Sequence, residues 1–157
     1  MVVGAAALLC VLAAAVWDVL HFEIPDTLSI AILTLAIVFG FLQPGFPWLS
    51  HISAPVLVFA FGLLAFSRGW LGGGDVKVLT ATAAWTGLGG LVVQWAVVAM
   101  AGGAMTVMLF AARAALASGG RDTSQLPRIA QRDAPLPYAV AIAIGTFWWA
   151  WLAMTGR

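Results

Sequence analysis

The stretch VLTATAAWTGLGGLVVQWAVVAMAGGAMTVMLFAA, residues 78–112, contains no ionisable side chain. As one straight helix it would be about 52 Å long at ~1.5 Å per residue, against roughly 30 Å of bilayer hydrocarbon. It must turn back, and Gly87-Leu88-Gly89-Gly90 is where the backbone is free to do so. The flanking chain has the same character. Of its 157 residues 63% are hydrophobic and only 8% charged, whereas a soluble domain carries about a quarter charged residues. The composition and a mean hydropathy of +1.05 therefore indicate an all-α integral membrane protein, one transmembrane domain over residues 1–157. The net charge of +1 gives no reason to expect a nucleic-acid partner.

Working outward, the apolar runs predict six transmembrane helices. The first covers Met1–Trp17; no basic residue precedes it, which argues for a retained span rather than a secretory signal. Ile24-Pro25-Asp26-Thr27 reads as an extended turn in which Asp26 or Thr27 caps a second helix, Leu28–Leu42. Gln43-Pro44-Gly45-Phe46-Pro47 is a loop, and a third helix follows over Ser53–Phe66 with Pro55 in its first turn. The remaining helices are Val76–Thr86, Leu91–Ala117 and Leu136–Met154, with a polar loop over Ser118–Pro135. Arg68, Lys77, Arg113, Arg121, Arg128 and Arg132 then fall on one side of the bilayer and only Arg157 on the other, which makes the first side cytoplasmic. Both termini lie outside, an N-out/C-out topology. Trp17 and Trp70 mark the inner interface, and Trp48, Trp85, Trp95, Trp148, Trp149 and Trp151 the outer one.

Carboxylates are expensive near hydrocarbon and usually face a bundle interior or a wet cavity. Asp18 ends the first apolar run and Asp75 begins the fourth, so this topology brings both to the same depth at the cytoplasmic end. Two carboxylates that share a site cannot both ionise easily, and such a pair holds one proton. An aspartyl protease uses this arrangement: the ionised member takes a proton from the attacking water, and the protonated one donates to the scissile carbonyl. Gly72-Gly73-Gly74 precedes Asp75, letting another backbone approach and leaving amides free to bind a carbonyl or oxyanion. The alternative is a proton- or cation-coupled small transporter that uses the same two carboxylates; against it, they lie near the interface and no inverted repeat is visible.

These residues resemble the type IV prepilin peptidases, in particular the short form associated with Flp (tight-adherence) pili, and more distantly the archaeal preflagellin peptidases. Asp18 followed by Ile24-Pro25 looks like the family's first catalytic segment, and Gly72-Gly73-Gly74-Asp75-Val76-Lys77-Val78 like its Gly-x-Gly-Asp segment. Pro137-Tyr138-Ala139-Val140-Ala141-Ile142-Ala143-Ile144-Gly145 is similar to the family's Pro-Tyr-Gly-x-Ala-Ile-Ala-x-Gly stretch near the last helix. The resemblance implies a GxGD-type aspartic endopeptidase of the bacterial inner membrane. It would remove the basic leader of a prepilin or pseudopilin after a Gly on the cytoplasmic side, with Asp18 and Asp75 as the catalytic pair. No cofactor is implied.

Around that pair, Gly72, Gly73, Gly74, Lys77, Glu23, Ile24, Pro25 and Asp26 are the candidate substrate-binding or supporting residues. Asp26 stands where the family usually has Asn, and with Glu23 it offers negative charge to a basic leader. Lys77 points away from Asp75 along its helix and reads as an interfacial cation. No metal is expected: His21 and His51 fall on opposite membrane faces, where both read as interfacial. The single cysteine, Cys10, lies inside an apolar run as a small packing residue. The larger prepilin peptidases carry a cysteine-bearing cytoplasmic domain and methylate the new N-terminus, and this sequence gives no reason to expect methyl transfer.

Overall fold

A computed structural model of the chain describes residues 2–118 and 135–156. Among these residues five helices run in order: α1 (Val2–His21), α2 (Asp26–Leu42), α3 (Trp48–Ser67), α4 (Gly73–Ser118) and α5 (Ala139–Thr155). Three are long and apolar enough to cross a bilayer, over Val2–His21, Trp48–Ser67 and Gly73–Leu116. The other two have 17 residues each, shorter apolar helices. The bundle is turned inside out relative to a soluble one: large apolar side chains such as Phe41, Leu49, Val92 and Met100 are exposed, while the core is built largely from alanines. Small residues let helix backbones approach closely, which is how helices gain packing energy when lipid is as apolar as they are.

The expectation of six separate spans is corrected by α4, which carries a break where a turn was expected. Only Gly87 departs from helix, at φ 57° and ψ −177°, a conformation essentially restricted to glycine. Helical hydrogen bonding resumes on either side, so no loop interrupts the element. The groups freed by the break are met from the start of α3: Ser50 Oγ accepts from the Leu88 amide at 2.9 Å, and His51 Nδ1 bonds the Ala84 carbonyl at 2.8 Å. Buried backbone groups need such partners. His51 is therefore also a structural clasp.

Contacts show that the chain reverses direction at Gly87. In the first arm, Val76 packs at Gly62 of α3 and Ala84 meets His51, so this arm runs antiparallel to α3. In the second, Trp95 meets Phe61, and Gly90, Gln94, Val98 and Gly102 meet Trp149, Thr146, Gly145 and Tyr138 in turn. That order runs back down α5. Residues 75 and 102 therefore lie at the same end of the bundle, and Gly87 at the other.

Three helix starts also differ from the sequence expectation. α2 begins at Asp26 with Pro25 as N-cap and no side-chain cap, so neither Asp26 nor Thr27 performs that role. α3 begins at Trp48 with Pro47 as N-cap, which puts Pro55 inside the helix rather than in its first turn. α4 begins at Gly73, so two of the three glycines before Asp75 are helical. The loop expected over Ser118–Pro135, with Arg121, Asp122, Arg128, Arg132 and Asp133, lies outside the described residues except at its ends, as does Arg157.

Candidate active site

Asp18 occupies the last turn of α1, which runs on to His21 rather than stopping at Trp17. It is only 6% exposed, and Oδ2 accepts a hydrogen bond from the Ala139 amide at 3.1 Å. That amide is the first of α5, where unpaired N–H groups and the positive end of the helix favour a carboxylate. α1 then ends on Phe22, which sits at φ 57° with its amide bonded to the Asp18 carbonyl at 2.8 Å. Glycine usually fills this position; a bulky residue there holds the chain in a strained turn that delivers Ile24 to α4.

Asp75 lies in the first turn of α4. Its Oδ2 accepts from the Gly72 amide at 3.3 Å, while Oδ1 is buried with no hydrogen-bond partner among the described residues. The two carboxylates are close enough for the charge of Asp18 to act on Asp75. The bundle thus brings together the acidic pair that the sequence singles out, from segments far apart in the chain.

The glycines before Asp75 have separate tasks. A Cβ at Gly72 would lie 2.9 Å from Asp75 Oδ2, and one at Gly74 would lie 3.1 Å from the Ile24 Cβ. Gly73 meets only ordinary contact from Phe66. The expectation that these amides stand free for a substrate carbonyl is corrected at Gly72, whose N–H already holds Asp75. Gly74 instead lets the Ile24-Pro25 turn press against the start of α4.

Lys77 and Asp26 also differ from expectation. Lys77 Nζ donates to Asp26 Oδ1 at 2.6 Å, tying α4 to the first turn of α2. Lys77 is thus an ion-pair partner rather than a lone interfacial cation, and the Asp26 charge is matched. Glu23 is exposed and forms no ion pair among the described residues. Both side chains of the Lys77–Asp26 pair are at least half exposed, so removing it should cost under ~1 kcal/mol. Asp26→Asn and Lys77→Met are each expected to melt within a few degrees of wild type in detergent, and the charge-swapped double variant to match it. A large loss of melting temperature in either single variant would show that the pair carries more than a surface bridge does.

A family model, described as the type IV leader peptidase family, matches residues 5–121, a segment that contains both Asp18 and Asp75. The chain belongs to the type IV leader peptidase family. No curated protein and no solved structure matches it. Membership makes the chain a protease, and with its apolar helices a membrane protease, whose family acts on prepilin-type substrates. The matched segment ends before α5. Ala139, whose amide holds Asp18, is therefore contributed from beyond it. Sequence reading missed Ala139 because the donor is a backbone amide; the one signal that pointed there was the Pro137-Tyr138 start of the last apolar run.

Proposed function

We propose that this member of the type IV leader peptidase family is an intramembrane aspartyl endopeptidase of the bacterial inner membrane. It removes the basic leader of a type IV or Flp prepilin, or a pseudopilin, after a Gly on the cytoplasmic side. The observation that carries this reading is the pairing of Asp18 and Asp75 at one end of the bundle, each tethered by a single backbone amide through Oδ2. One oxygen of each is fixed and the other is left for chemistry.

In this reading one carboxyl is ionised and the other protonated. The ionised member takes a proton from water as its oxygen attacks the scissile carbonyl, and the protonated member donates to the carbonyl oxygen. The tetrahedral intermediate then collapses with a proton passed to the leaving amine, giving a free carboxyl on the leader and a new amino terminus on the pilin. The dyad titrates as a unit, so the two roles belong to the pair.

In this reading the end of the bundle that carries both carboxylates faces the cytoplasm. The bias of basic residues supports that orientation. The test is co-expression with a prepilin that carries a basic leader, followed by gel mobility: the wild type shortens the prepilin, and one that leaves it intact overturns the reading. Glu23, which forms no ion pair among the described residues, is the acidic residue we assign to leader recognition. Glu23→Gln is expected to slow processing a few-fold in low salt, an effect that shrinks as salt screens the attraction. Equal rates at low ionic strength would remove Glu23 from this role.

A further inference from the structure

Asp18 and Asp75 are not the only polar side chains at this end of the bundle. Tyr138 precedes Ala139, whose amide binds Asp18. Its ring is seated on Gly102 in the second arm of α4, so closely that a Cβ there would lie 2.8 Å from the hydroxyl. The same ring lines a cavity of about 300 Å³ between α3 and the two arms of α4, beside Leu71 and Leu79. The remainder of that lining is apolar or carries indole nitrogen, so the phenol is its one hydroxyl. Among the described residues the hydroxyl makes no hydrogen bond, although it lies within electrostatic reach of Asp75. Asp75 in turn keeps its buried Oδ1 unpartnered.

A buried carboxylate oxygen without a donor is costly unless a bound group uses it, and the phenol on a separate element offers a donor that no described residue takes up. Beside the protonated carboxyl of the dyad, a phenol supplies a second donor that does not depend on the pair's titration. It stays protonated and offers a hydrogen bond to an oxygen that is becoming negative. We propose that Tyr138 is a third catalytic residue, donating a hydrogen bond from its hydroxyl to the scissile carbonyl oxygen of the bound prepilin as that oxygen gains charge. No proton leaves the phenol. Gly102 is then a positioning residue, since only a residue without Cβ leaves room for the ring. The inference rests on the peptidase reading.

Tyr138 is the only tyrosine in the sequence, so fluorotyrosine fed during expression, with no tyrosine in any tag, labels this one position. The 19F resonance of the purified full-length protein is expected to move on Asp75→Asn and to stay in place on Thr155→Ala at the far end of α5. Tyr138→Phe keeps the ring on Gly102 and removes only the hydroxyl. It is expected to lower kcat about tenfold or more, with KM and melting temperature unchanged, as follows when an interaction is made only in the transition state. A kcat within about twofold of wild type, or a resonance indifferent to Asp75→Asn, would overturn the assignment. A wild type that cuts no prepilin removes the peptidase reading and this inference with it. A wild type that cuts, beside a Tyr138→Phe variant that cuts equally well, removes the inference alone.

Discussion

Asp18→Asn and Asp75→Asn should each reduce leader removal by roughly 10⁴-fold or more, the scale seen when one member of a catalytic unit is deleted. The substitution is nearly isosteric, and the amide oxygen of Asn still accepts from Ala139 or Gly72. Both tethers seen in the wild type can therefore survive. What the variant loses is the ability to take or give a proton. Each single variant should insert, fold and melt like the wild type, and the double variant should be no slower than either single one, because the pair acts as a unit. The measurement is gel mobility of co-expressed prepilin, with melting in detergent as the control. Residual cutting in either variant would refute the two-carboxylate mechanism while leaving family membership untouched.

The second large effect concerns packing rather than chemistry. Gly145 of α5 lies against the second arm of α4 so tightly that an added Cβ would overlap Val98 and lie 2.8 Å from the Gln94 carbonyl. One residue on, Thr146 accepts a hydrogen bond from the fully buried Gln94 at 2.9 Å. Gly145→Leu must therefore push α5 off α4, open that buried bond and pull the Ala139 amide away from Asp18. The expected cost is about 3 kcal/mol, at the upper end for overpacking a tight core. Cleavage should be lost along with thermal stability in detergent. Gly103→Leu is the matched control, because no atom lies within 4 Å of a Cβ at that position, and it should melt like the wild type. A Gly145→Leu variant that melts normally would mean that α5 does not pack this closely on α4.

How much of this could be read from the sequence depends on what kind of signal each feature leaves. Asp18 and Asp75 stand out because a carboxylate in an apolar run is conspicuous by its cost. Their convergence follows once the runs are threaded back and forth, and that simple geometry survives although the six expected spans become five helices. The glycine cluster at 87–90 marks the reversal, but not that a single residue suffices. That depends on Ser50 and His51 arriving from α3 to satisfy the broken backbone. The Lys77–Asp26 bridge joins residues 51 positions apart and leaves no local pattern. Ala139 is least visible of all, since a peptide N–H exists at every residue except proline and only the fold decides which one meets Asp18.

The single break in α4 also has a mechanical side. From Gly87 to Asp75 the first arm is about 18 Å long at ~1.5 Å per residue, so each degree of bend at Gly87 displaces Asp75 by roughly 0.3 Å. The arm is a lever whose fulcrum lies at the opposite end of the bundle from its load. Asp18 and the Ala139 amide that holds it sit on α1 and α5, outside that lever. The separation of the carboxylates is therefore sensitive to the angle at Gly87, and the residues that hold the broken backbone there, Ser50 and His51, lie at the far end of the bundle from the carboxylates.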